Sequence, residues 1–168
     1  MSDLPPIPAA ELKRAFGSFP TGVTVMTTLD ADGAPVGMTA SSFNTVSMDP
    51  PLILWSIRLD SQKRAAFNAN DRFAVNVLSA DQSGACYGFA RPEGAAFDSH
   101  AWRPGTAGIP LLDEAAAHME CRVWSRHEAG DHEILIGEIT SLGVREVEPM
   151  VFYAGRLCQI SNQATTGS

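Results

Sequence analysis

The sequence contains few lysines and has no basic cluster. Only Lys13 and Lys63 among its 12 basic residues are lysines, and 19 acidic residues bring the formal net charge to −7. Nucleic-acid binding requires a basic surface that neutralises phosphates, so we expect no nucleic-acid partner. The scarce basic side chains are better suited to recognising a single small anion.

Cysteine is also scarce, and the metal-binding spacings are missing. Cys86, Cys121 and Cys158 are odd in number and widely separated, and the chain has no Cys-x-x-Cys or His-x-x-x-His pair. This pattern predicts no disulfide framework and no metal site, and the three thiols are interpreted as small buried hydrophobes. With no long apolar run and no signal-peptide pattern, we expect a cytoplasmic protein without a membrane partner.

The composition that remains is that of one soluble domain. The chain has 168 residues, of which 45% are hydrophobic and 18% are charged. That length supports one well-buried core, and a second complete core is not expected. We divide the chain into an extended proline-rich arm (1–8), one domain (9–158) and a flexible tail (159–168).

Apolar periodicity and turn residues predict a mainly β chain with three helices at its edges. The predicted helices cover residues 9–19, 61–68 and 81–90, and the predicted strands cover 23–29, 35–46, 52–57, 72–78, 119–123, 132–144 and 150–153. Residues 91–114 show no clean period and are predicted to form a long loop. Six or seven strands at hairpin spacing indicate a closed or nearly closed antiparallel barrel. No Gly-x-Gly-x-x-Gly occurs, so a nucleotide would not be bound as in a Rossmann fold.

One stretch of the second strand is unusual for a buried strand. Thr39, Ala40, Ser41 and Ser42 interrupt an apolar segment where branched aliphatic side chains are expected. Small and hydroxylated residues let a flat ligand approach the backbone and offer it hydrogen bonds. The alternative, a merely polar strand edge, is left open by these residues alone.

A second candidate for ligand binding lies at the start of the predicted helix 61–68. Ser61 is a good N-cap residue, and Lys63 follows it in the first turn. A helix N-terminus with a nearby ammonium suits an anion such as a phosphate. The alternative is that Lys63 is an ordinary solvated helix residue.

Six motifs, taken together and in order, resemble those of the flavin reductase family, the small FMN-binding split-barrel proteins that serve as reductase components of two-component monooxygenases. The motifs are Phe19-Pro-Thr-Gly-Val23, Gly37-Met-Thr-Ala-Ser-Ser-Phe43, Val46-Ser-Met-Asp-Pro-Pro-Leu52, Phe73-Ala-Val-Asn-Val-Leu78, Gly130-Asp-His132 and Phe152-Tyr-Ala-Gly155. The resemblance implies an antiparallel six-stranded split barrel of Greek-key type that forms a homodimer. It also implies hydride transfer from NADH or NADPH to FMN, or to FAD, and a monooxygenase that uses the reduced flavin.

The resemblance also implies roles for individual residues. Flavin contacts are expected from Met38, Thr39, Ala40, Ser41, Ser42, Trp55, Ser56 and Ile57, and phosphate contacts from Ser61, Gln62 and Lys63. Gly130, Asp131 and His132 would form the turn beside the nicotinamide, with His132 as the catalytic candidate, and Tyr153 would wall the same pocket. Since the cofactors carry the electronics of hydride transfer, no catalytic triad is needed, and none is visible.

Two other functions remain open at this point. A split barrel of this kind could bind flavin or haem as a carrier or sensor without reducing it, although haem would need an axial His or Cys in an apolar pocket. Oxidation of a phosphorylated pyridoxal-type substrate would need several basic residues around a second phosphate, which this sequence does not offer. His132 alone would be read as a solvated turn residue, as His100, His118 and His127 are.

Overall fold

The structure, a computed structural model, describes residues 5–92 and 96–161. In chain order the elements are α1 (Ala9–Gly17), β1 (Thr21–Gly22), β2 (Thr24–Leu29), β3 (Pro35–Ala40), β4 (Asn44–Met48), β5 (Pro51–Arg58), α2 (Arg64–Ala69), β6 (Arg72–Val77), α3 (Ser83–Ala90), α4 (Ala96–Ser99), β7 (Trp102–Pro104), β8 (Pro110–Leu112), β9 (Ala117–Ala129), β10 (His132–Val144), β11 (Val151–Tyr153) and β12 (Arg156–Cys158).

One antiparallel sheet forms the body of the molecule, in the order β3-β2-β6-β9-β10-β5-β4. A three-stranded sheet (β1-β11-β12) and a two-stranded sheet (β7-β8) lie beside it. The mainly antiparallel β class with a few helices is therefore confirmed. The main sheet has seven strands rather than the expected six, because the predicted strand 35–46 ends at Ala40 and resumes as β4, which pairs with the free edge of β5.

One hydrophobic core cluster lies on the face of the sheet that α2 covers. Trp55 of β5 is fully buried and meets Phe67 of α2 edge to face, with ring centroids 4.9 Å apart. Phe73 of β6 lies against the same indole at 5.9 Å. Aromatic pairs of this geometry contribute about 0.5–1.5 kcal/mol beyond the area that they bury. The core therefore fixes α2 against β5, directly behind the loop that joins them.

Buried hydroxyls in β2 are satisfied by backbone carbonyls of the neighbouring strands. The Thr24 hydroxyl donates to the Ala40 carbonyl at 2.7 Å, and the Thr28 hydroxyl donates to the Arg72 carbonyl at 2.8 Å. A buried hydroxyl without a partner would be costly, so these bonds explain why threonines are tolerated in this strand. The first of them fixes the end of β3, where the hydroxylated run begins.

Several predicted boundaries are corrected. The helix expected over 61–68 begins at Arg64, and its N-cap position is Lys63 with no side-chain cap bond, so Ser61 is not the cap. The predicted loop 91–114 contains α4, β7 and β8 in its described part. Residues 5–8 of the predicted arm form no helix or strand, while residues 1–4 and most of the predicted tail (162–168) lie outside the described residues.

Among the described residues, no helix combines the length and the apolar character that crossing a membrane would require.

Candidate functional site

A cavity of about 320 Å³ opens where β3, the β5–α2 loop and the end of α3 meet. The residues that line it come from these three segments: Met38, Thr39, Arg58, Asp60, Ser61, Gln62, Lys63, Phe89, Ala90, Arg91 and Pro92. Five of the predicted cofactor residues, far apart in sequence, are thus brought together: Met38, Thr39, Ser61, Gln62 and Lys63. Three cationic side chains border the same space, which makes it suitable for an anion.

Lys63 lies between the loop and α3. Its ammonium Nζ donates to the Phe89 carbonyl at 2.9 Å, so it binds one of the free carbonyls at the end of that helix. Burial lowers the pKa of Lys63 below its ordinary value. An ammonium has three donors, and this contact uses one of them, so the others remain able to bind a ligand.

Arg58, at the end of β5, joins the cavity to the neighbouring turn. Its guanidinium makes a two-pronged contact with Asp60, with both N···O distances at 2.8 Å, and lies 3.8 Å from Asp131. The hydrogen bond from Arg58 is the main cause that lowers the pKa of Asp60. Sequence reasoning gave Arg58 no role, although its position between a buried strand and an acidic loop was visible.

The turn formed by Gly130 and Asp131 connects β9 to β10 and leads into His132. Gly130 has a φ of 63°, a left-handed conformation that favours glycine. The Asp131 carbonyl accepts a hydrogen bond from the Leu59 amide at 3.0 Å, which fixes the turn beside the cavity loop.

The His132 imidazole is oriented by its neighbour. His132 Nδ1 lies 2.7 Å from Asp131 Oδ1, and because an ionised carboxylate only accepts, Nδ1 carries the hydrogen. This hydrogen bond is the largest cause of the lowered pKa of Asp131. In the neutral imidazole, Nε2 is then left as an acceptor. The predicted triplet is thus assembled near Arg58, at the edge of the cavity rather than in its wall.

Two hydroxyls of the small-residue run, those of Thr39 and Ser42, are bonded within the protein. Ser42 Oγ accepts from the Ser56 amide at 2.9 Å and donates to the Ser56 carbonyl at 3.1 Å, which ties the chain after β3 to the middle of β5. Thr39 Oγ1 donates to the Cys86 carbonyl of α3 at 2.6 Å. Ala40 is buried, and Ser41 is exposed outside this cavity. The run therefore holds the walls of the site in place, and only Thr39 of these four lines the cavity.

Trp55 and Ile57, which the resemblance places along the flavin, lie outside this cavity. Their side chains are 0% and 1% exposed and belong to the core, because alternate residues of β5 face α2 and the sheet interior. Their contact with the flavin remains a prediction. Ser56 lies on the opposite face, and its backbone amide and carbonyl are both bonded to the Ser42 hydroxyl.

Tyr153 lies in the small sheet, 47% exposed, and is not among the described residues that line the cavity.

The wall from Phe89 to Pro92 was missed by sequence reasoning. The predicted helix 81–90 contained Phe89, but no motif indicated that the end of this helix faces the loop at Lys63. The signal that the sequence offered was Phe89 two residues before Arg91-Pro92, at the end of the predicted helix.

The fold is that of a mainly β protein, with a cavity that is lined by three basic residues and one acidic residue. Residues 16–161 match the flavin reductase like domain, so the chain belongs to the flavin reductase family. It is 41% identical over 161 residues to the FMN reductase (NADH) SmoA of Agrobacterium fabrum, covering 94% of this chain and 91% of the relative. It is 36% identical over 154 residues to HsaB of Rhodococcus jostii, the reductase subunit of a flavin-dependent monooxygenase. This match covers 91% of this chain and 78% of the relative.

A solved structure agrees with these matches. The NADH:FAD oxidoreductase SgcE6 of Streptomyces globisporus, in complex with NAD and FAD fragments, superposes with a TM-score of 0.87 at 39% identity, covering 92% of this chain and 94% of that one. Some other matching proteins are longer, and this chain covers 42% of the length of one and 54% of another.

Proposed function

We propose that the protein is an NAD(P)H:flavin oxidoreductase that transfers a hydride from NADH or NADPH to FMN or FAD and supplies the reduced flavin to a partner monooxygenase. The observation that carries the proposal is the cavity that joins Met38 and Thr39 of β3 to residues 61–63. Relatives that are named FMN reductase, FAD oxidoreductase and monooxygenase reductase subunit support each part of it.

The residues around the cavity fit a flavin nucleotide. Its volume of about 320 Å³ falls within the range of about 300–1,000 Å³ of small-molecule sites. Met38 offers apolar surface for a ring, whereas Ser61, Gln62 and Lys63 offer donors for a phosphate. The cavity thus offers both an apolar and an anion-binding group, as a molecule with a flat ring and a phosphate requires.

A bound flavin would supply the hydride acceptor, and the protein supplies position. Lys63 and its loop would hold the phosphate, while Met38 would exclude water from the ring. The turn at Gly130 and Asp131 presents His132 to the nicotinamide. Because Asp131 fixes the imidazole, we assign His132 a role in orienting the donor rather than in transferring a proton.

Assembly as a symmetric homodimer belongs to the same proposal. Phe16 and Phe19, at and after the end of α1, are 71% and 72% exposed, and Met48 of β4 is 92% exposed. Apolar side chains of this size in water favour a protein interface. Tyr153, on the small sheet that also contains β1, would wall the nicotinamide side of the pocket in such a dimer. Sedimentation at micromolar concentration tests this, and a monomer that still binds flavin would contradict it.

The reaction is tested by anaerobic mixing of the protein with flavin and a reduced nicotinamide. The flavin absorbance should bleach with NADH or NADPH as donor, and comparing FMN with FAD identifies the preferred acceptor. We expect the reaction to occur in the cytoplasm, where reduced nicotinamide is available. Flavin that binds but is never reduced would indicate a carrier, and a Soret band would indicate a haem protein; either result would overturn the proposal.

A further inference from the structure

The loop that carries Ser61 and Lys63 depends on a very short helix. Helix α2 has six residues, and a helix of that length is not stable in water by itself. Its first turn nevertheless holds the loop directly, since the Arg64 amide donates to the Ser61 carbonyl at 3.1 Å and the Ala66 amide donates to the Lys63 carbonyl at 3.2 Å. The position of the loop therefore follows the position of α2.

A buried carboxylate holds the start of this helix. Glu133 of β10 is 6% exposed, and its Oε2 accepts from Arg64 Nε at 3.1 Å. The exposed Glu128 gives the same guanidinium a second, weaker contact at 3.3 Å. Glu133 is the second residue of β10 and is paired with Ile57 of β5 on one side and Glu128 of β9 on the other, so its backbone is held by two strands.

The other end of α2 is held by Arg126 of β9. Its guanidinium donates to the Phe67 carbonyl and to Asn68 Oδ1, the latter at 2.9 Å, and so binds groups that the last helical turn leaves free. Arg126 Nη1 also lies 3.8 Å from Glu133 Oε2. The same carboxylate thus stands between the two arginines that hold the helix at both ends.

We propose that Glu133 is a positioning residue for flavin binding: through Arg64 it fixes α2, and through α2 it keeps Ser61 and Lys63 directed at the phosphate of the flavin. The inference rests on the proposed function, because it assumes that this cavity takes the flavin phosphate. Glu133 itself lies behind the loop and does not line the cavity.

The test uses Glu133→Gln, which keeps the shape of the side chain and removes its charge. We expect the Kd for FMN to rise roughly five- to thirtyfold, while the Kd for riboflavin, which lacks the phosphate, stays within about twofold. The KM for FMN should rise in parallel, with kcat at saturating FMN retained. Hydrogen exchange in the flavin-free protein should show faster exchange of the α2 amides.

A matched control is available on the same strand. Glu138 pairs with Arg122 at 2.7 Å, and neither residue contacts α2. Glu138→Gln also breaks an ion pair of β10, but one that does not hold α2. It should therefore leave FMN affinity and α2 exchange unchanged. Arg64→Gln breaks the proposed bond from the helix side and carries the test if Glu133→Gln does not fold. The double variant should bind FMN no more weakly than either single variant, since both remove one contact.

The outcomes separate the two proposals. Wild-type protein that does not bind flavin would refute the proposed function. Wild-type binding with unchanged FMN affinity in both Glu133→Gln and Arg64→Gln would refute only the positioning role. An equal loss of FMN and riboflavin affinity would also overturn it, since the effect would then not act through the phosphate.

Discussion

Replacing Lys63 by Met tests the phosphate site most directly. The ammonium uses one donor on the Phe89 carbonyl, at 2.9 Å, and keeps two donors for phosphate oxygens. A hydrogen bond to a charged group contributes about 1.5–3 kcal/mol when well formed. Because Lys63 is only partly buried, solvent screening reduces this to about 1–2 kcal/mol, and the Kd for FMN should rise roughly five- to thirtyfold.

The assay is a flavin titration with FMN and with riboflavin. Riboflavin affinity should change little, because that ligand has no phosphate to lose. Lys13→Met is the matched control: Lys13 is the other lysine, exposed on α1, and its replacement changes the net charge equally. The reasoning is refuted if Lys63→Met binds FMN as the wild type does, or if both lysine variants weaken FMN equally.

The same site should show a pH dependence of known sign. Burial lowers the pKa of Lys63, so its charge is lost at a lower pH than that of a free lysine. FMN affinity should fall as the pH rises through this lowered pKa, because the neutral amine binds phosphate weakly. Lys63→Arg should retain its affinity over that range, since a guanidinium stays protonated. A parallel fall in the arginine variant would assign the titration to another group.

Three further results are expected. His132→Ala should slow NADH-dependent flavin reduction in anaerobic stopped flow by about ten- to a hundredfold, or about 1.4–2.7 kcal/mol, with flavin affinity unchanged; wild-type rates would place the nicotinamide elsewhere. Burial raises the pKa of the Cys121 thiol to about 12, so a thiol reagent at pH 8 should label the partly exposed Cys158 first and reach Cys121 only on unfolding. A Cβ on Gly37 would lie 2.7 Å from the Phe89 ring, so Gly37→Ala should lower the free energy of unfolding in urea by about 1–3 kcal/mol; an unchanged midpoint would show that the ring moves freely.

The sequence allowed the strands to be predicted where residue type alone decides them. The β-branched β2 and the Asp-Gly turn after it were predicted within one residue of their observed bounds. Residues 52–57 were correctly predicted as a strand, but every position except Ser56 is apolar, so no alternation showed which face points inward. Trp55 and Ile57 were placed along the flavin by the family resemblance, and the structure buries both side chains in the core.

The site could be predicted only as far as local motifs reach. The hydroxylated run and residues 61–63 were visible as unusual stretches, and three-dimensional structure places parts of both in one cavity. Arg58 and the wall at Phe89 depend on contacts between distant segments, which no local pattern encodes. Ser61 was misread as a helix cap because the two turn residues after it are also compatible with a helix.

The register of the β5–β10 ladder determines both halves of the proposed mechanism. Arg58 pairs with His132 and Ile57 pairs with Glu133, so two successive rungs carry the link to the nicotinamide turn and the anchor of α2. Side chains alternate between the two faces of a sheet, and a shift of one residue would turn Glu133 away from Arg64. The buried side chain of Leu135, on the same face of β10, opposes such a shift, because it would turn out of the core together with Glu133. The packing of the core therefore keeps the loop at residues 61–63 and the turn before His132 at a fixed distance from each other, although neither contains a core residue.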